Sequence, residues 1–410
     1  MITAPDVAVD RLRFPRRASV GLPHPLVSCL AAFGAVAALW PSGLPRSSLI
    51  SAALVAGCVA VATITGLLLA RRRPVPPVGA VAAAAGGVGA TWIAALISGA
   101  WQNDLRSDLG APPVGAEWVV MSALSAMVVF GLVVWLPRTT AVGCAMIAAL
   151  VAGALPAGAD DGPAEPPPTP AGVLYGPGEA GSADQRAAEL VARWVGDGGL
   201  DREAVVIAVP TGSGWVDPSA VRGYVDRFGG DVDVLALQYS ARPSWQTFVA
   251  DRSAAGHSAI VLLRAVLDTV AGRAPGERPA VHVYGQSVGA VGAEAARVWA
   301  VAERPGAVTE TVLSGVPGDS VARRSGDDSD RVILANASDP IPRWSLASIW
   351  RPTRQPHDAR IVGRPARQPP WLPVIGFLQT SADLLGSLDG DPGVGHRYGA
   401  SQTSSLSDAG

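Results

Sequence analysis

A serine hydroxyl attacks a carbonyl carbon at neutral pH only when a base takes its proton and a third group orients that base. One stretch is built to present such a serine: a β-type run at 280–284 breaks into Gly285-Gln286-Ser287-Val288-Gly289 and then into alanine-rich helical sequence. A strand delivers the hydroxyl to a sharp turn, small flanking residues let backbone pass closely, and the next helix points its N-terminus at developing negative charge. In a chain with 47 glycines the G-x-S-x-G pattern recurs readily by composition, so the strand-to-helix context carries the reading.

The partners of Ser287 should follow it, acid first and histidine second, as they do where a serine sits on this kind of turn. Of the five histidines only His357 and His396 come later. His396 lies in the glycine-rich loop Gly393-Val394-Gly395-His396-Arg397-Tyr398 and is the candidate base, whereas His357, in a Pro- and Arg-rich stretch, reads as a surface residue. His24, His257 and His282 read as structural. Asp339, four residues past a β-type run, is the candidate acid; Asp319 is its rival, and Asp327 and Asp328 resemble a solvated loop. The oxyanion hole should combine the backbone N–H of Val288 with one from the turn after the strand ending at Val209, where Thr211 or Gly212 is the natural donor. A tight turn without chemical duty is the alternative for Gly212 and Gly214. No lysine follows that turn at phosphate-loop spacing, and no His/Cys/carboxylate cluster suggests a metal, so neither cofactor nor metal is expected.

The elements that must position these residues alternate. Helical patterns at 183–195, 218–228, 245–272 and 288–303 are interleaved with β-type runs at 204–209, 232–239, 280–284, 308–313 and 331–335, which predicts a mostly parallel sheet with helices on both faces. Ligands of such sheets bind beyond the carboxyl ends of the strands. Ser287, the 211–215 turn and Asp339 each follow a predicted strand, so all three should meet on one rim.

The other half of the chain is of a different kind. The 410 residues are 49% hydrophobic and 16% charged, with mean hydropathy +0.29, and the apolar excess lies before residue 157. Apolar segments at 26–41, 48–70, 76–100, 116–136 and 139–157 approach the ~20 residues that cross a bilayer, giving about five spans, or four and a re-entrant piece. Trp40, Trp101, Trp118 and Trp135 stand at segment ends, where headgroups favour amphipathic rings. With a cytoplasmic N-terminus, Arg11, Arg13, Arg16, Arg17, Arg71, Arg72, Arg73 and Arg138 fall inside and Arg46 and Arg106 outside. Five spans then place the later domain outside the cytoplasm; losing the last would reverse that. Cys29, Cys58 and Cys144 read as small membrane hydrophobes. A net charge of −2 without a basic stripe excludes a nucleic-acid partner. The expected plan is therefore a cytoplasmic segment 1–25, a membrane domain 26–157, a Pro/Gly-rich linker 158–183, a catalytic domain 184–400 and a disordered tail 401–410.

Several separated motifs add a resemblance. Residues 209–218, Leu237-Gln238-Tyr239-Ser240 with Pro243-Ser244-Trp245, the 285–289 turn, residues 371–374 with Phe377-Leu378-Gln379, and 395–399 together resemble a family of membrane-anchored α/β-hydrolases of actinobacterial type with an N-terminal multi-span domain. The resemblance implies an α/β-hydrolase fold and supports Ser287 as nucleophile, Asp339 as acid and His396 as base. The sequence differs from that pattern in Gln286, where an acidic residue is common, and in Val394, where another histidine is.

The leading expectation is a multi-pass membrane serine hydrolase that forms an acyl-enzyme on Ser287 and cleaves an ester at the outer leaflet, with the bilayer as its partner. Several spans would be superfluous for a small soluble ester, so a lipid or lipid-linked substrate is favoured. Trp215, Trp245, Trp344 and Trp371 are candidates to line its acyl chain, or are ordinary packing. Transfer of the acyl group to an alcohol of envelope glycan or lipid, and a non-catalytic scaffold or sensor with a relict turn, are the alternatives.

Overall fold

The computed structural model describes residues 21–71, 77–136, 172–176, 181–211, 214–239, 253–322, 331–353 and 358–404. The N-terminal arginines, the segment 139–157, Arg138, Gly212, Trp245, Asp327, Asp328, His357 and residues 405–410 lie outside them. Two compact units divide the chain: one comprises Met1–Trp40, Ser47–Ala100 and Val114–Pro156, the other Pro41–Arg46, Trp101–Pro113 and Ala157–Gly410.

The first unit is helical. Helix α1 (Pro25–Ala38) is followed by α2 (Ser48–Ala70), α3 (Pro77–Leu109) and α4 (Ala116–Trp135). Ser47 caps α2 by accepting the Ile50 N–H at 3.3 Å. Helices α2, α3 and α4 are long and apolar enough to cross a membrane. With 14 residues, α1 spans about 21 Å, short of the ~30 Å hydrocarbon layer. Inside the unit Val55, Val59, Ala123 and Trp118 are buried, and the Ser51 and Ser122 hydroxyls hydrogen-bond between α2 and α4 at 2.9 Å. Small residues and hydroxyl pairs are the usual glue between helices whose surroundings offer no hydrophobic contrast. Helix α3 runs nine residues past the apolar segment expected to end at 100, and those last turns belong to the second unit.

The second unit is a seven-strand parallel sheet, order β1-β3-β2-β4-β5-β6-β7. Its strands are β1 (Val173–Gly176), β2 (Ala204–Val209), β3 (Val232–Leu237), β4 (Ala280–Gln286), β5 (Glu310–Ser314), β6 (Arg331–Asn336) and β7 (Ala359–Val362). All six residues of β2 are buried, because a central parallel strand is covered on both faces and reads as an unbroken apolar run. Val205, Ile207 and Val209 point to one core, Ala204, Val206 and Ala208 to the other. The first core is closed by helices α5 (Ala183–Gly196), α7 (Ser253–Val270) and α8 (Val288–Glu303), the second by α6 (Pro218–Arg227) and by Tyr398. Helix α7 also meets the length and hydropathy of a membrane span. It is instead a sheet cover, since ten of its residues are buried in the unit. Helix α9 (Ile375–Asp383) and a helical turn (Ser401–Ser404) complete the unit.

Two sequence expectations are corrected. The stretch read as linker contains β1, which pairs with β3 in register from Val173↔Val234 to Gly176↔Leu237. The stretch read as disordered tail begins with a helical turn that buries Gln402 and Thr403, the Thr403 hydroxyl donating to Ala220 O at 2.8 Å.

A buried ionic knot ties α8 to β6. The Glu294 carboxylate takes Arg297 Nε at 2.8 Å and Arg331 Nη1 at 2.8 Å, and Arg331 Nη2 reaches Asp358 at 2.7 Å. Glu294→Ala would leave both guanidinium groups without their shared anion in a site too buried for water to compensate. The expected loss is about 3 kcal/mol of stability, read by chemical denaturation of the detergent-solubilised protein.

Candidate active site

Strand β4 ends at Gln286, and Ser287 stands between it and α8 with φ 56° and ψ −124°. A non-glycine residue there stores about 1–3 kcal/mol of backbone strain, which only firm surroundings can hold. Gly285 and Gly289 make the turn feasible. A Cβ on Gly285 would overlap Gly289 O, and one on Gly289 would overlap Val209 O. The Ser287 N–H donates to Ser314 O at 3.0 Å, which pins the turn to the end of β5. Val288 is the first residue of α8, so its N–H has no intrahelical acceptor and lies at the positive end of the helix.

The buried carboxylate arrives from β6. Asp339 is 1% exposed, and three donors converge on its carboxylate: the Ile341 N–H at 2.9 Å on Oδ1, the Tyr398 hydroxyl at 2.8 Å on Oδ2, and His396 Nδ1 at 2.7 Å on Oδ2. With a proton thus held on Nδ1, the lone pair of the neutral ring is on Nε2. Nε2 is buried and has no hydrogen-bond partner among the described residues.

The histidine loop is fixed at several points. His396 N–H donates to Ser387 O at 2.7 Å, Gly395 N–H to Ser338 Oγ at 2.8 Å, and Asn336 Nδ2 to Gly395 O at 3.0 Å. Gln286, the residue before Ser287, donates from Nε2 to His396 O at 3.0 Å, so the histidine loop is tied directly to the elbow. Gly315, at the end of β5 next to Ser314, is the floor under the pair. A Cβ there would stand 2.7 Å from His396 Nδ1 and 2.9 Å from Asp339 Oδ2. Ser287, Asp339 and His396 are therefore gathered at the carboxyl ends of β4, β5 and β6.

The turn after β2 is closed on itself. Thr211 N–H donates to Trp215 O at 2.9 Å and Gly214 N–H to Thr211 O at 2.8 Å. The Thr211 N–H, anticipated as an oxyanion donor, is thus engaged within its own turn, while Gly212 lies outside the described residues. Asp319 is likewise occupied elsewhere, with Ser345 Oγ at 2.8 Å and Arg351 at 3.2 Å. Trp344 packs beside Val288 with Ala255 and Tyr239, and its ring lies 5.9 Å from Phe377. Trp371 instead donates to Ser348 O at 3.1 Å.

Sequence reasoning missed the polar lattice beneath the site. Gln402 Oε1 accepts Tyr284 OH at 3.0 Å and Ser314 Oγ at 2.8 Å, and Gln402 Nε2 donates to Asp217 Oδ2 at 3.0 Å. Tyr398 was visible as part of the 395–399 motif; Gln402 carried no signal at all.

Parallel strands, a strained serine between strand and helix, and a buried His–Asp pair at the same rim are the hydrolase type of α/β fold. The profile of an alpha/beta-hydrolase family matches residues 172–329 and 322–408, more than half of the chain, and the chain belongs to that family. Comparison with curated proteins and with solved structures gives no match.

Asp217 gives the site a pH signature. Burial raises its pKa above the ordinary 3.8, against the hydrogen bonds from Ser219 and Gln402. The folded state therefore holds this proton more tightly than the unfolded chain, and ionised Asp217 subtracts from stability above the raised pKa. That penalty fades as pH falls from the raised pKa towards 3.8. Denaturation of wild type and Asp217→Asn between about pH 7 and pH 4 should show their stability difference moving in favour of wild type as pH falls.

Proposed function

We propose that the protein is a membrane-embedded serine hydrolase that cleaves a carboxylic ester through an acyl-enzyme on Ser287. The observation that carries this reading is the 2.7 Å contact between His396 Nδ1 and the buried Asp339 carboxylate, with Nε2 buried and without a partner among the described residues.

In the proposed reaction Nε2 takes the Ser287 proton as Oγ bonds to the ester carbon. The oxyanion of the tetrahedral intermediate rests on the Val288 N–H and a second N–H from the segment after β2. Each such donor contributes about 2.7–4 kcal/mol to the transition state. The ester C–O bond then breaks, the alcohol leaving with the proton from Nε2. Water, deprotonated by the same nitrogen, attacks the acyl carbon, releases the acid and restores the Ser287 hydroxyl. Asp339 stays ionised throughout and stabilises the imidazolium formed in each half-reaction.

A lipid or lipid-linked ester is the proposed substrate. Val288, Ala255, Tyr239 and Trp344 provide an apolar wall at the elbow, and Leu346, Trp350 and Val374, in the turns after Trp344 and before α9, expose large apolar side chains. Helices able to cross a membrane supply the setting. The arginine bias of the N-terminal half, taken with a fifth span over 139–157, supports a site on the extracytoplasmic side.

Ser287→Ala should abolish both fluorophosphonate labelling and turnover of a short-chain p-nitrophenyl ester, whereas Asp339→Asn should lower kcat by about 10³- to 10⁴-fold. Full turnover by Ser287→Ala would remove the serine from the mechanism. A membrane-impermeant fluorophosphonate should label Ser287 in intact cells as completely as in lysed ones; labelling only after lysis would place the site in the cytoplasm.

A further inference from the structure

The α/β unit is not one continuous stretch of chain. Residues Pro41–Arg46, between α1 and α2, and Trp101–Pro113, the end of α3 and the connection to α4, belong to it. At its heart is Arg46, 5% exposed. Arg46 Nε and Nη2 reach Asp383 Oδ1 at 3.1 and 2.7 Å, Nη1 donates to Gln379 Oε1 at 2.6 Å, and Nη2 also donates to Gln379 O at 2.9 Å. The other carboxylate oxygen of Asp383 takes the Gly43 N–H at 2.7 Å. Backbone on the near side is held in turn by Gln102 Oε1, which accepts the Arg46 N–H at 2.9 Å, and by Arg106, which donates to Arg46 O at 2.9 Å.

This cluster does not stop at α9. Gly43 presses on the guanidinium of Arg343, where a Cβ would stand 2.5 Å from Nη2 and 2.9 Å from Cζ. Arg343 donates from Nε to Asp339 O at 3.1 Å and from Nη2 to Ser338 O at 3.0 Å, gripping the backbone of the acid loop. Ser338 Oγ in turn accepts the Gly395 N–H of the histidine loop. A second arm reaches that loop from the other side: Leu44, Leu105 and Leu109 pack with Val394, and Arg364 joins Leu109 O to Gly393 O. Both loops that carry the His–Asp pair are thus braced by connectors that lie more than 200 residues earlier in the chain.

We propose that Arg46 is a positioning residue of the hydrolase: through Asp383, Gly43 and Arg343 it sets the loop that carries Asp339, so the connectors between the apolar helices are working parts of the site. This rests on the reading of Asp339 and His396 as acid and base. A buried ion pair is an expensive way to gain stability, since well-packed apolar residues do as well or better. Here Arg46 and Asp383 fill one another's hydrogen-bonding positions in a single arrangement, which suits a register-setting role. The planar fork of arginine can satisfy Asp383 and Gln379 together; a lysine point charge cannot.

The test uses the full chain in detergent, with kcat, KM, the pH profile and the rate of fluorophosphonate labelling measured beside thermal stability. Arg46→Gln is expected to lower kcat by about 10- to 100-fold, because a displacement on the order of 1 Å at a reacting group costs that much, with KM nearly unchanged. Its acid limb of kcat/KM should move to lower pH, since a displaced Asp339 carboxylate stabilises the His396 imidazolium less. Arg46→Lys should fall between the two. Gly43→Ala leaves the Arg46–Asp383 pair and its charges in place but pushes Arg343 from the Ser338 and Asp339 carbonyls, and it should lower kcat about tenfold even if Arg46→Gln does not fold. Folded Arg46→Gln, or folded Gly43→Ala where the first does not fold, with wild-type kcat, pH profile and labelling rate overturns this inference alone. Wild-type protein that takes no label at Ser287 overturns the hydrolase reading and this inference with it.

Discussion

An ionised carboxylate removed from water needs donors on all sides, and the rim of this sheet is arranged around that demand. Asp339 is almost without solvent, so a backbone N–H, a tyrosine hydroxyl and an imidazole must each be delivered to it. Satisfying it dictates much else. Tyr398 must be buried under β6, where burial and the adjacent Asp339 charge drive its own pKa far above the usual tyrosine value and keep it a donor. The loop before Tyr398 must then cross the end of β5, and only a residue without a side chain, Gly315, leaves room for the ring above it. Half a kilocalorie here or there in apolar packing is small beside leaving that anion short of a partner, which costs several kcal/mol.

The strain at Ser287 belongs to the same economy. A residue at φ 56° persists because its N–H is tied to β5, its neighbour Gln286 to the histidine loop, and its helix to the β2 end through the close approach of Gly289. Gln286 is notable in this respect. At a position where its resemblance family commonly has an acidic residue, it is 3% exposed, and as a neutral amide it donates to His396 O, while its Oε1 lies 3.1 Å from Tyr284 OH, whose one proton it shares with Gln402 Oε1. A carboxylate could accept but not donate, and would leave the His396 carbonyl unfilled.

Much of this was legible in sequence because its signals are local. β2 to β6 announce themselves as apolar runs, the serine turn by its glycines, Asp339 by its place after a strand and His396 by its glycine-rich loop. β1 and β7 were not visible: each has four residues, and β7 is an edge strand whose Arg360 and Ile361 face solvent. Four residues with an arginine among them are too short a run to separate from loop. Gln402 was unreadable for a different reason. It satisfies groups from β4, β5 and the start of α6, and a residue whose meaning lies wholly in tertiary partners leaves no periodic trace. That Thr211 spends its N–H on its own turn is a choice that spacing does not reveal. Arg46 entered the sequence reading only as one arginine of the membrane-side count, and nothing local ties it to Asp383, 337 residues away.

The family profile begins at residue 172, and the Pro-rich stretch before it invites a cut there to free a soluble fragment. Such a cut would not free the α/β unit whole. Asp383 would remain without its guanidinium, Gln379 would lose the same partner, Arg343 would lack the backbone it stacks on, and Val394 would turn an apolar side chain to water. The boundary suggested by sequence and the boundary set by physical contact are different places, and a truncated preparation that is dull or sticky would be reporting on missing pieces rather than on the chemistry of the intact chain.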